Sequence, residues 1–170
     1  MHSVSVIIIS YNTADITLRC VKETLDELQD LSPQVIIVDN GSEDHTLKLL
    51  SELEIDKRII VARQSENLGY AGAVNAGVML ASGEFLMIMN SDVFIKGSGL
   101  KSKFSDVVDL FDSTGVGVVG FQQIFPDGSW QRSNGKFPSI SNTVLEALFI
   151  PNLANKLKSY LFGKISSRLK

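Results

Sequence analysis

Short apolar runs alternate along this chain with longer segments of helical spacing. Val4-Ser5-Val6-Ile7-Ile8-Ile9 is β-branched and predicts a buried strand, which Ser10-Tyr11-Asn12-Thr13 ends. Leu18, Val21, Leu25 and Leu28 then recur on one helical face. After a loop at Pro33, Val35-Ile36-Ile37-Val38 predicts a second strand, closed by Asp39-Asn40-Gly41-Ser42. Leu47, Leu50 and Leu53 mark another helix, which Ser42 or Asp44 could cap. Ile59 to Val61 predicts a third strand. Asn67-Leu68-Gly69-Tyr70 leads into a helix of small residues from about Ala71 to Ala81, stopped by Ser82-Gly83. Phe85 to Met89 predicts a fourth strand, Leu100 to Phe111 a helix, and Gly117 to Phe121 a fifth strand. Pro126-Asp127-Gly128 is turn chemistry between two extended pieces and predicts a hairpin.

The strands are short and apolar without alternation, as strands covered on both faces are. Their regular exchange with helices predicts an α/β fold with a mostly parallel sheet flanked by helices. Ligands of such sheets bind at the carboxyl ends of the strands. Here those ends carry Tyr11-Asn12, Asp39-Asn40-Gly41-Ser42 and Asn90-Ser91-Asp92, which should converge on one edge. A buried strand that stops on Asn90-Ser91-Asp92 makes either a turn or a site for a cation and the phosphates it carries.

The other candidates each have a plain reading beside a functional one. Asp39 is a turn residue or helix cap, or a carboxylate that accepts a base N–H from a nucleotide. The segment from Asn67 to Gly77 packs closely on the sheet through its small residues, and its amino end can also approach a diphosphate. Asn75, polar inside that segment, calls for a hydrogen-bond partner. Gly115, Gly117 and Gly120 spell the dinucleotide fingerprint, but a helix precedes them where a strand is needed, so a dinucleotide-dependent oxidoreductase is set aside. His2 and His45 have no partner pattern.

Composition narrows the class. The chain has 170 residues, 44% hydrophobic and 21% charged, which suits a soluble globular domain. A net charge of -3 gives no reason to expect a nucleic-acid partner. A single cysteine, Cys20, fits a reducing compartment and reads as packing in a helix. No apolar run approaches the roughly 20 residues of a membrane span, and the amino-terminal run lacks the length and basic leader of a signal peptide. The expected location is therefore cytoplasmic. After Glu146 the charges are all basic: Lys156, Lys158, Lys164, Arg168 and Lys170. Leu153, Leu157, Leu161, Ile165 and Leu169 would form one stripe of a helix there. Residues 139–170 thus read as a basic amphipathic tail that packs on this domain or begins a further half of the protein, or that touches the inner face of an anionic membrane.

Together these pieces resemble the amino-terminal, donor-binding half of family-two glycosyltransferases of GT-A fold, most of all the rhamnosyltransferase-like branch. The matching segments are Val6 to Asn12, Ile36 to Asp44, Asn67-Leu68-Gly69 through Asn75-Ala76-Gly77, Ala81 to Glu84 and Met89 to Asp92, and the resemblance covers residues 4 to 138. It implies a nucleotide-sugar-binding domain over residues 1–138. Tyr11 and Asn12 would lie near the base and ribose, and Asp39 would accept the N3–H of uracil or thymine. Gly72 and Asn75 would border the nucleotide. Asn90-Ser91-Asp92 would stand for the D-x-D motif, with Asn90 and Ser91 at the nucleotide and Asp92 on Mg²⁺ or Mn²⁺. The implied activity is transfer of a sugar from a UDP- or dTDP-sugar to a glycan or lipid-linked acceptor with inversion, as in cell-wall or polysaccharide biosynthesis. The alternative is a non-catalytic nucleotide-binding or scaffold module.

The sequence departs from the family pattern at two positions. Asn90 replaces the first Asp of the motif, and Val74 stands where many relatives place an arginine. Relatives also continue into an acceptor half with a Glu–Asp pair, whose Asp is the general base. Glu43-Asp44 lies in the wrong place for that pair, and Glu146 has no Asp beside it. The expectation is a donor-binding half that lacks its base and is inactive alone.

Overall fold

The computed structural model describes residues 3–132. The chain separates into two compact units, Met1–Gly117 and Val118–Lys170. The boundary expected at residue 138 and the basic tail lie outside the described residues.

In the first unit, β1 (Val4–Ser10), α1 (Ala14–Glu27), β2 (Gln34–Asp39), α2 (Thr46–Leu53), β3 (Ile59–Arg63), α3 (Gly69–Val78), β4 (Phe85–Asn90) and α4 (Leu100–Thr114) alternate along the chain. The strands form one parallel sheet in the order β3-β2-β1-β4, with Ile7 level with Ile36 on one side and Ile88 on the other. This is the expected α/β architecture. The central strands are apolar throughout because both of their faces are covered. Val6, Ile8, Val35 and Ile37 pack with Val21 of α1, Leu50 of α2 and Phe104 and Val108 of α4. Ile7, Ile9, Ile36 and Val38 pack against α3 around Ala73. Each such side chain contributes about 1.5–3 kcal/mol by leaving water.

The small residues of α3 let it lie close to the sheet. A Cβ at Gly77 would stand 2.5 Å from Ile7 Cγ2 and 3.1 Å from Val38 Cγ2. Position 77 is thus where the helix meets the seam between β1 and β2. Because α3 sits over that seam, it leaves β4 uncovered on this side. Leu86 and Ile88 are each 46% exposed, while Phe85, Met87 and Met89 turn to the other face, where Phe85 meets Phe104 edge-on at 6.2 Å. The fourth strand was expected to be buried on both faces; it alternates, since it is an edge strand among the described residues.

Two further expectations are corrected. The fifth strand, Gly117 to Phe121, does not form. Its glycines disfavour an extended ladder, and no partner strand lies beside them among the described residues. Helix α1 is in place, but its buried face is Thr17, Cys20, Val21 and Thr24, leading to Leu28, with Leu18 and Leu25 only half-buried. Hydroxyls are tolerated there because Thr17 donates to the Thr13 carbonyl and Thr24 to the Cys20 carbonyl, both at 2.8 Å. Neither Ser42 nor Asp44 holds the cap position of α2, which falls to His45, but Asp44 just before it accepts the Thr46 N–H at 2.9 Å. No helix among the described residues is long and apolar enough to cross a membrane.

The second unit contains the expected hairpin. β5 (Gln123–Ile124) pairs antiparallel with β6 (Trp130–Gln131). Gly128, at φ +82°, donates to the Phe125 carbonyl, and Asp127 accepts from the Ser129 N–H and hydroxyl.

Gly77→Val should lower stability by about 1–3 kcal/mol through overpacking. Gly117→Val should change it by less than about 0.5 kcal/mol, because a Cβ there meets nothing within 4 Å. Urea denaturation of both variants checks this; equal losses would contradict the close approach of α3.

Candidate functional site

The carboxyl ends of β1, β2 and β4 reach one edge of the sheet, as their parallel registers require. The loops that leave them are hydrogen-bonded to one another. Asn12, at the end of β1, has φ +54°, a left-handed conformation that asparagine tolerates. Its N–H donates to Ser42 Oγ and its side-chain oxygen accepts from the Glu43 N–H, both at 2.9 Å. Asn12 thereby fastens the first strand-end loop to the second. Tyr11 beside it is 42% exposed.

Asp39, the last residue of β2, is fully buried. Ser42 donates its hydroxyl to Asp39 Oδ1 at 2.5 Å and its N–H to Oδ2 at 3.3 Å. The turn between them needs glycine. Gly41 has φ +78°, and a Cβ there would stand 2.6 Å from the Glu66 carbonyl carbon. Asn40, also buried, donates to Asn67 Oδ1 and accepts from the Leu68 N–H, each at 2.9 Å. Asn67 accepts from the Gly69 N–H as well. These bonds fix the start of α3 against the end of β2. Gly72 lies in the first turns of that helix, where a Cβ would stand 2.7 Å from Leu68 Cβ. Asn75 is exposed, so water can serve its amide and no protein partner is required.

The question posed by Asn90-Ser91-Asp92 is answered in part by a β-turn, since the Val93 N–H donates to the Asn90 carbonyl at 3.2 Å. The turn divides its side chains. Ser91 is buried, and its hydroxyl lies 3.1 Å from Thr13 Oγ1. Asn90 and Asp92 are exposed, and Asp92 makes no hydrogen bond or ion pair among the described residues. Behind the turn, the Cys20 thiol donates to the Val93 carbonyl at 3.1 Å. Burial pushes that thiol up to about 11, helped by the charges of Glu23 and Asp92 and opposed by a hydrogen bond to Thr24, so it stays protonated and can donate. In front, Arg19 stacks over Phe94 at 4.0 Å.

The edge therefore offers a buried carboxylate, Asp39, exposed carboxylates that include Asp92 and Glu43, and an exposed amide oxygen on Asn90. All are hard oxygen donors. No group of three or more His, Cys, Asp or Glu side chains that could hold a metal ion gathers among the described residues. The structure brings Tyr11, Asn12, Asp39, Asn90, Ser91 and Asp92 to the same edge of the sheet. Sequence reasoning passed over Asn40, Asn67 and Thr13. Their partners lie 27 and 78 positions away along the chain, and no local pattern announces such pairs.

Comparison with known proteins gives the family and the fold. The chain is 30% identical over 105 residues to the glycosyltransferase GlyG of Streptococcus pneumoniae, covering 61% of this chain and 35% of that protein. It is 29% identical over 116 residues to the succinoglycan biosynthesis protein ExoO of Rhizobium meliloti, covering 68% of this chain and 32% of that one. Among solved structures, the mannosyltransferase PcManGT from Pyrobaculum calidifontis, in complex with GDP-Man and Mn²⁺, superposes with a TM-score of 0.57 at 23% identity. That match covers 68% of this chain and 34% of PcManGT. TarS of S. aureus in complex with UDP gives 0.54 at 23% identity over 71% of this chain and 38% of its own. At this identity the two structures establish the GT-A-like fold. The chain spans about a third of the length of each of these four proteins. The family described as glycosyl transferase family 2 matches residues 5–164, and the chain belongs to that family.

Proposed function

We propose that this chain is the donor-binding part of an inverting glycosyltransferase that takes a UDP- or dTDP-sugar together with Mg²⁺ or Mn²⁺. The observation that carries the reading is the β-turn at the end of β4. It buries Ser91 and leaves the Asp92 carboxylate exposed on the same sheet edge as Asp39. A bound nucleotide diphosphate needs opposite charge at its phosphates, and its leaving oxygen gains negative charge as the sugar departs. A divalent cation supplies that charge without proton transfer. Asp92 would hold it, with Asn90 as a neutral oxygen neighbour. The Mn²⁺ and GDP-Man of the PcManGT complex support a cation at such a fold.

The base would meet Asp39. Uracil and thymine present an N3–H donor, whereas cytosine presents an acceptor there. The Ser42 hydroxyl, 2.5 Å from Asp39 Oδ1, is the donor that a base N–H would join or replace. Tyr11 and Asn12 would border the base and ribose, and Gly72 and Asn75 the far side of the nucleotide. The acceptor would be a glycan or lipid-linked acceptor, and the relative named for succinoglycan biosynthesis supports a glycan. The reading includes the expectation that the 170 residues alone bind donor without transferring sugar at enzymatic rates, since neither Glu43-Asp44 nor Glu146 matches the family's general-base pair in place and neighbour. The rhamnosyltransferase-like resemblance, a cytoplasmic location and contact of the basic tail with an anionic membrane belong to the same reading.

Calorimetric titration of UDP and dTDP with Mn²⁺ tests the metal role. Asp92→Ala should weaken binding at least about tenfold, the scale of lost metal support; equal affinity in the two proteins would contradict it. Asp39→Ala should reduce binding of UDP more than that of CDP. An equal change for both nucleotides would leave Asp39 as a turn residue alone.

A further inference from the structure

A set of hydroxyls runs beneath the Asn90–Asp92 turn. Ser10 and Thr17 are fully buried and 2.9 Å apart. Thr13 Oγ1 lies 3.3 Å from Ser10 Oγ, 3.2 Å from Thr17 Oγ1 and 3.1 Å from Ser91 Oγ. The set links the end of β1, the start of α1 and the turn after β4. Thr13 and Ser91 tie the start of α1 to that turn, one residue from the exposed Asp92. A buried hydroxyl left unpaired is costly, so each member constrains the rotamers of the others. The Cys20 thiol adds a second tie one helical stretch further on, to the Val93 carbonyl.

We propose that Thr13 is a positioning residue for Asp92. Its hydroxyl holds Ser91 inward and so fixes the turn in the rotation that presents the Asp92 carboxylate at the open edge. This rests on the metal role proposed for Asp92. Thr13 touches neither cation nor donor; it acts through Ser91. The Ser10–Thr17 pair behind it sets the Thr13 rotamer, which explains why α1 carries threonines on a buried face that apolar residues would otherwise fill. A position held by packing alone would tolerate valine, which keeps the branched shape. A position that orients the turn would not.

The test compares native chain, Thr13→Val, Thr13→Ser, Ser91→Ala and the double variant Thr13→Val/Ser91→Ala. Each is titrated with UDP in Mn²⁺ and with UDP in a chelator, and its melting temperature is measured. Thr13→Val should weaken UDP binding in Mn²⁺ about fivefold, the scale of one neutral hydrogen bond, and leave binding without metal unchanged. Thr13→Ser should restore most of the loss. The double variant should bind no worse than the weaker single one, because both remove the same bond. Thr13→Val within twofold of native in Mn²⁺, or equally weakened with and without metal, would overturn the proposal. If Thr13→Val does not fold, Thr13→Ala, which removes the same hydroxyl without adding a methyl group to the buried set, carries the same expectation and the same contradiction. Asp92→Ala separates the two levels. A native chain whose UDP binding ignores both Mn²⁺ and Asp92 overturns the metal reading and this inference together, whereas Asp92-dependent binding that is indifferent to Thr13 overturns this inference alone.

Discussion

Buried parallel strands must end somewhere, and their ends must satisfy polar groups out of reach of bulk water. That constraint shapes the carboxyl edge of this sheet. Asp39, Asn40, Ser10 and Ser91 are all buried at or just beyond the ends of β2, β1 and β4. Each is answered by another loop or by its own turn: Asp39 by Ser42, Asn40 by Asn67 and Leu68, Ser10 by Thr17, Ser91 by Thr13. Once these pairs are made, the loops are no longer independent. The few polar groups left over, Asp92 and Asn90 among them, are held at the rim with fixed neighbours. Under the proposed reading, oxygen donors held in this way would meet a cation and a diphosphate without first ordering a loop.

The sheet itself was legible in the sequence because its signal is dense. β1 and β2 are β-branched at almost every position, and no other element fits runs that short. The hairpin was legible from Pro126-Asp127-Gly128. The exposed face of β4 was not legible, because Phe85 to Met89 is apolar on both sides although only one side is covered among the described residues. Apolar content reports what a strand could bury, and the coverage depends on where α3 lands. Gly77 decides that by docking over Ile7 and Val38. The strand expected at Gly117 to Phe121 failed for a related reason: valines gave it propensity, but a strand also needs a neighbour.

The site was legible in outline and not in its supports. Asp39 and Asp92 declared themselves as carboxylates directly after apolar strands. Thr13, Thr17 and Cys20 did not, since a helix read by its leucines draws attention to Leu18 and Leu25, which are only half-buried. The buried face of α1 is chosen by what lies beneath it, the polar end of β1 and the turn after β4. A small polar residue there satisfies that end, and a leucine would leave hydroxyls of Ser10 and Ser91 unanswered.

The most direct test of the account is to locate a bound cation. Mn²⁺ added with UDP to isotope-labelled chain broadens amide resonances steeply with proximity. The account predicts that broadening centres on Asn90 to Val93 and extends to Tyr11–Thr13 and Asp39–Ser42. It should spare Ser82–Glu84, which lie at the opposite end of the strands, roughly 20 Å away for strands of this length. It should also disappear in Asp92→Ala. Broadening centred elsewhere in Met1–Gly117, or unchanged when Asp92 is replaced, would contradict the claim that the tied strand ends form a metal and nucleotide site.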